Sequence, residues 1–375
     1  MIPFNKPCVT GKEEQYLKKV IENGIFAGDN EFTKKCHAWF DNVFPGSRSL
    51  MTPSATHALD MSCILIDLRP GDEVIVPSFT FPATATCATM RGATPVFVDI
   101  RPDTLNINEN LIEEAITGRT RAILPVHYAG VGCEMEAIMD IARRHNLPII
   151  EDSAQAILCS YKGKPLGTFG LFGCFSFHET KNLQCGEGGA MIINDPAYFE
   201  RAEILREKGT NRSKFWRGEI DKYSWVDTGS SYIPSELTSA FLYAQLEQAE
   251  TIMKDRLKSW DLYYKGLTPL EDKGHIELPR IPEHCKHNGH IFYIKVRDLK
   301  ERDAIIKFLR EKGIYSVFHY VPLHSSQAGR KYGRMHGEDC YTTKESDRLV
   351  RLPMYYQLTN EEIHKVIDNV QSFFA

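Results

Sequence analysis

No stretch of this 375-residue chain approaches the roughly 20 consecutive apolar residues that a membrane-spanning helix needs. The opening residues, Met1-Ile2-Pro3-Phe4-Asn5-Lys6, lack a basic segment followed by an apolar core, so a signal peptide is not expected. The ten cysteines include no Cys-x-x-Cys pair, which argues for reduced thiols in a cytoplasmic protein and against a disulfide framework or zinc ribbon. A surplus of one charge sign is also missing. The net charge of −4 gives no electrostatic reason to expect nucleic acid or an anionic membrane as partner. There is no basic helix-turn-helix signature, no internal repeat and no low-complexity segment. What remains is the composition of a soluble globular protein, 42% hydrophobic and 25% charged, long enough for two domains.

From residue 48 the pattern alternates. Strand candidates at 48–52, 73–77, 95–100, 121–127 and 147–151 are short and apolar, and helical periods at 57–68, 83–91, 110–117 and 135–145 separate them. Such alternation predicts an α/β fold with a mainly parallel sheet buried on both faces. In that architecture a ligand lies beyond the carboxyl ends of the strands. A long helical period over 234–267 follows, then Pro and Gly punctuation, a strand at 290–296, a helix at 301–312, a strand at 315–320 and a terminal helix at 361–374. This reads as a large cofactor-binding domain over 1–250, whose N-terminal segment is free to pack on the small domain, and a smaller α+β domain over 251–375.

Polar residues at or just beyond these strand ends carry the chemistry. Lys181 sits in a turn between the apolar runs 174–177 and 190–193, with Gly186, Gly188 and Gly189 close behind. A lysine on a fixed stem, partly desolvated, has a lowered pKa and suits Schiff-base chemistry; the bland alternative is a solvated turn lysine. Ser54-Ala55-Thr56 opens a helix and offers backbone N–H groups to an anion, or merely caps the helix. Asp152 would pair with a cationic nitrogen or only form a turn, Phe81 would face an aromatic ring or fill the core, and Ser176 needs a polar partner. One ligand fits all five: pyridoxal 5′-phosphate needs an anion seat, a carboxylate for its pyridine nitrogen, a surface against its ring and a lysine for its aldehyde. The run His284-Cys285-Lys286-His287-Asn288-Gly289-His290 is dense in ligand types, but its spacing matches no zinc pattern and no metal is expected.

The order of these features, with the motifs 77–85, 151–155, 174–182, 186–190, 234–237, 244–247 and 319–324, resembles the DegT/DnrJ/EryC1/StrS sugar aminotransferase family over nearly the whole length. The resemblance implies the type I pyridoxal-phosphate aminotransferase fold, with a seven-stranded sheet in the large domain. It also implies Lys181 as the Schiff-base lysine and proton carrier, and Asp152 on the pyridine nitrogen. Gln155 and Ser176 would bond the phenolic oxygen or phosphate, Phe81 would stack on the ring, and Ala55 and Thr56 would cradle the phosphate. Two departures stand out. Ala55 replaces the family's usual Gly, which needs a negative φ there, and Ser231 falls where many members carry an Asn that reaches a partner subunit's phosphate. Tyr320 and His324 are implied near the nucleotide-sugar entrance. The implied reaction moves an amino group from L-glutamate to a nucleotide-linked 4-keto-6-deoxy sugar, in a homo-oligomer of at least two chains. Two rivals remain: a related sugar-nucleotide dehydratase, which would carry His in place of Lys181, and a non-catalytic cofactor-binding regulator.

Overall fold

The alternation of Val- and Ile-rich runs with helical periods becomes, in the computed structural model of residues 1–375, a central layer of short strands covered on both sides. Its strands are β1 (Arg48–Thr52), β2 (Glu73–Pro77), β3 (Thr94–Val98), β4 (Thr120–Ile123) and β5 (Ile150–Asp152). A small hairpin, β6 (Ser160–Tyr161) and β7 (Lys164–Pro165), precedes β8 (Phe172–Ser176) and β9 (Gly189–Ile193). Later in the chain come β10 (Cys285–Lys286), β11 (Phe292–Lys295), β12 (Arg334–Met335) and β13 (Leu349–Leu352).

In place of one seven-stranded ladder the strands form two four-stranded sheets, ordered β1-β9-β8-β5 and β12-β3-β2-β4. Proline accounts for the seam. Between β4 and β5 the chain carries Pro125 and Pro148, which accept from Asp152 N–H (2.9 Å) and Ile123 N–H (3.1 Å) but cannot donate back. Pairing there is reduced to the isolated parallel bridges Ile123–Ile149 and Val126–Asp152, which join the sheets edge to edge. Within the sheets only β9 runs against its neighbours; the other pairings are parallel.

Burial follows the strand period of two. Val74 and Val76 of β2 pack with Leu59, Phe97 and Phe172, while Ile75 packs on the other face with Val96, Val98 and Ile138. In β9 Met191 and Ile193 join the first of these cores, and Ala190 and Ile192 meet Phe40, Phe44 and Phe175 opposite. A further core forms around Tyr263, Phe292, Ile294, Val350, Leu352 and Val366, with Ile2 from the chain start. The helical period over 234–267 is interrupted, giving Glu236–Leu246 and Ala249–Asp272. The second helix spans two cores: Ala249, Ile252 and Met253 pack below β8 and β9, and Trp260, Tyr263 and Leu267 in the later core.

The stretch 315–320 is not a strand. Its only pairing is the bridge Val317–Arg351. Ile314 and Ser316 turn inward, whereas His319 and Tyr320 turn toward a cavity, so local alternation was satisfied without a ladder.

Gly189 fixes how closely β9 approaches the start of the helix Ala55–Leu65. A Cβ at this position would overlap the backbone of Ser54 and Ala55, which cannot move aside as a flexible side chain could. Gly189→Ala should therefore destabilise the fold by about 1–3 kcal/mol and displace that helix start. Denaturant unfolding, with a titration of pyridoxal phosphate onto the variant, measures both effects; unchanged values would refute this reading.

Candidate active site

Strand register gathers the polar residues. Thr52 of β1 and Ser176 of β8 both lie opposite Gly189, and Asp152 of β5 lies opposite Cys174. The strands that bear them therefore end on one edge of the layer. From that edge the chain runs into Ser54–Thr56, Thr80–Phe81, Ala154–Gln155 and His178–Lys181, which line a cavity of about 1360 Å³. Its remaining wall comes from far away in sequence: Phe4, His290, His319, Tyr320, Arg351 and Met354.

Adjacent carboxylates at the end of β5 have opposite fates because successive strand residues point to opposite faces. Glu151 turns away from the cavity and is fully enclosed. Its oxygens accept the N–H groups of Gly167 (2.7 Å), Phe169 (2.7 Å) and Gly170 (2.8 Å), and lie 3.0 Å from His127 Nε2. Asp152 turns into the cavity, where the Thr84 hydroxyl donates to Oδ2 (2.8 Å) and the Ala154 N–H to Oδ1 (3.1 Å). Burial pushes the Asp152 carboxyl above its ordinary range, opposed by these two donors and by the charge of Lys181.

Lys181 is held by its loop. The Phe177 N–H donates to Gly188 O (2.8 Å), Glu179 N–H to Gly186 O (2.9 Å) and Lys181 N–H to His178 O (2.8 Å). Gly186 closes the return with a φ of +78°, where a Cβ is disfavoured. Desolvation pulls the Lys181 amine down from 10.5 to about 8; Asp152 works against this and the positive charge of Arg351 adds to it. The neighbouring Asn182 points the other way. Its carbonyl oxygen accepts from His290 Nδ1 (2.8 Å) and its amide donates to Asn288 O (2.9 Å), so His290 presents an unprotonated Nε2 toward the cavity. Burial and the charges of Lys181 and Arg256 keep this imidazole neutral.

The helix Ala55–Leu65 starts at the cavity wall. The Ser54 hydroxyl accepts from His57 N–H (3.2 Å), which leaves the N–H groups of Ala55 and Thr56, without helical acceptors, for an anion. Ala55 keeps a negative φ, so the residue that stands where Gly is usual imposes no strain.

The other expected site residues are distributed unevenly. Gln155 lines the cavity with its oxygen accepting Ala129 N–H (2.7 Å) and its amide donating to the Tyr320 hydroxyl (3.1 Å). Ser176 lines it too, its hydroxyl accepting His178 N–H (3.3 Å). Phe81 lines the mouth with 60% of its surface exposed and its ring centroid 6.4 Å from that of Tyr320. His324 does not reach the cavity: it is held between the Ser78 hydroxyl (2.7 Å) and Asp339 (3.2 Å). Ser231 is exposed and outside the cavity of its own chain.

Of the other cavity residues, Thr84 and Arg351 were not singled out by the sequence, and His290 and His319 entered only through the runs 284–290 and 319–324. His290 lies in the histidine-dense run noted above, and Thr84 in the Pro77–Ala85 motif, so local signals existed for both. Nothing local distinguishes Arg351, which looks like a surface residue in the strand pattern of β13.

The residues present fit pyridoxal 5′-phosphate. Two free N–H groups at a helix start, a desolvated amine and a buried carboxylate with one hydroxyl donor share one enclosed space, and Gly189 gives the helix start its close seat.

Comparison with known proteins agrees. The chain is 34% identical to the protein MJ1066 of Methanocaldococcus jannaschii over 384 aligned positions, covering 100% of this chain and 98% of that one. Among solved structures it is similar to DesV of S. venezuelae, at 30% identity and a TM-score of 0.90, covering 99% of this chain and 98% of the other. It is also similar to Spr1654 of Streptococcus pneumoniae, described as a sugar aminotransferase and solved in its PMP form. That match has 26% identity, a TM-score of 0.92, and 100% and 99% coverage. A family model matches residues 7–371, and on this footing the chain belongs to the DegT/DnrJ/EryC1/StrS aminotransferase family.

Proposed function

We propose that this enzyme transfers the amino group of L-glutamate to C4 of dTDP-4-keto-6-deoxyglucose, with pyridoxal 5′-phosphate as cofactor. The product would be dTDP-4-amino-4,6-dideoxygalactose, the nucleotide sugar that supplies enterobacterial common antigen synthesis. The observation that carries the reading is a lysine amine lowered to about 8 and a buried carboxylate lining the same cavity in a member of an aminotransferase family. The sugar and the glutamate donor rest on the family resemblance set out above.

When bound, the cofactor supplies an aldehyde that exchanges amines and a ring that withdraws electrons. The chain's own residues do the rest. Ala55 and Thr56 bind the phosphate through backbone N–H groups, with the positive end of the helix behind them. Asp152 holds a proton on the ring nitrogen, and the Thr84 hydroxyl keeps its carboxylate oriented. The Lys181 Nζ would hold the cofactor's aldehyde and, once freed by the donor amine, would serve as base and then acid, taking a proton from the donor α-carbon and giving it back on the far side of the transferred nitrogen. A pKa near the working pH suits a group that must do both. Gln155 ties Tyr320 to the loop after β5, narrowing the space beside the reacting atoms.

Lys181 favours transamination over the dehydratase reading, which requires His at this position. His178 is no substitute, because its Nδ1 is engaged with the Thr180 hydroxyl (2.9 Å). We also propose that the working unit is at least a dimer. Trp216, Tyr223 and Trp225 stand exposed on the segment 212–226, and Ser231 would then reach the phosphate of a neighbouring copy.

Lys181→Ala should lower transamination by about 10³-fold or more. In cofactor-free protein the Lys181 amine should acylate with a half-maximal rate near pH 8, ammonium below and free amine above, as followed by peptide mass spectrometry. Full activity in the variant, or a lysine that titrates with the exposed ones, would overturn its role. With dTDP-4-keto-6-deoxyglucose and glutamate, the C4 amine should be axial, as NMR of the product will tell. An equatorial amine or no turnover would refute the substrate assignment while leaving the lysine test intact.

A further inference from the structure

A second concavity, of about 740 Å³, lies along the helix Ala249–Asp272 and shares no lining residue with the active cavity. The residues that the helix gives it, from Glu250 to Lys265, follow the helical period, so they form one stripe roughly 22 Å long. The facing wall is Leu158 with Lys286, His287 and Asn288.

Four exposed lysines, Lys254, Lys258, Lys265 and Lys286, line this groove, and no arginine does. None of the four is ion-paired. Glu250 and Asp261 stand four residues before Lys254 and Lys265, the spacing at which Glu31 does pair with Lys35, yet here the side chains stay apart. Four ammonium groups against two carboxylates leave the groove positive, in a chain whose net charge is −4. His287 adds a donor without a charge. Its Nδ1 accepts the Gly289 N–H (3.4 Å), so its proton sits on Nε2, and burial keeps the ring neutral by lowering its pKa to about 4. Trp260 fixes the orientation of that ring by packing against it edge to face, 4.6 Å between centroids. Half-buried Leu158, Leu257 and Leu262, with buried Met253, supply an apolar floor.

We propose that this groove binds a nucleoside diphosphate, at a site separate from the active cavity. Lysine ammonium groups are mobile point charges that gather around a tetrahedral phosphoryl group, whereas the planar carboxylate is matched by the fork of arginine, which is absent here. Lys254 and Lys258, one helical turn apart, take the two phosphates, with Lys286 on the facing wall. The leucines lie under the base, and Asp261 and Lys265 offer an acceptor and a donor to its polar edge. Glu250 opposes the phosphates, but it stands at the outer end of the stripe, a turn beyond Lys254. A groove of this volume, apolar with a few convergent polar groups, suits a ligand of that size. The inference is independent of the transaminase reading, since neither Lys181 nor the cofactor enters it.

The test is lysine footprinting of the holoenzyme by brief acylation and peptide mass spectrometry, with uridine diphosphate and inorganic pyrophosphate as probes. Uridine diphosphate at ten times its half-protecting concentration should slow acylation of Lys254, Lys258, Lys265 and Lys286 about tenfold, leaving the exposed Lys344 and Lys365 unchanged. Pyrophosphate, which has no base to lay on the leucines, should need at least about tenfold more for the same protection. Lys254→Glu combined with Lys258→Glu should abolish protection of Lys265 and Lys286 while transaminase kcat stays within about twofold of the parent, which also certifies the fold. Absence of protection, equal protection at Lys344 and Lys365, pyrophosphate as effective as the nucleotide, or protection that survives the double substitution would overturn the assignment.

Discussion

Two opposite charges withdrawn from water into one space set the terms for this structure. Lys181 loses ammonium stability through desolvation, and Asp152 loses carboxylate stability the same way, yet each partly restores the other. Neither is neutralised by a direct ion pair; Asp152 is fixed by a hydroxyl and a backbone N–H, and Lys181 by the closure of its own loop. The result is an amine poised near neutrality and a carboxylate available to a cation. Groups arranged this way are characteristic of reactive sites, since an ordinary salt bridge would have quenched both.

The sheet exists to hold those groups at one edge. Because β9 alone is antiparallel, its first residue, Gly189, lies beside the last residues of β1 and β8. That places a helix start with free N–H groups next to the lysine loop, and a single missing Cβ allows the two backbones to touch. The prolines at the β4–β5 seam have a related effect. They thin the ladder where Asp152 ends its strand and leave room for the segment 126–130 beside it.

The other wall is assembled from the later core. β11 and β13 pair there, Ile2 packs with them, and Met354 N–H donates to Phe4 O (3.3 Å). Phe4, His319, Tyr320 and Arg351 are thereby brought over the strand ends. The helix Ala249–Asp272 ties the two cores by contributing to both, and Asn182 adds a polar link by bonding His290 and Asn288 directly after the lysine. The cavity lies at this meeting of two packed bodies, as is common for small-molecule sites.

Local pattern in the sequence was enough to determine the α/β class, the helix Met135–His145, the cap at Ser54 and the polar strand ends, because hydrophobic period and turn chemistry are short-range properties. The motif around Lys181 and Asp152 was legible for the same reason: each is a contiguous run of residues. Tertiary structure alone decided that 315–320 would wrap a cavity and not pair as a strand, that His324 would be tied to Ser78 and Asp339, and that Arg351 would line the same cavity as a lysine 170 positions away. Those outcomes depend on which distant atoms satisfy a buried polar group, and no window of sequence contains both partners.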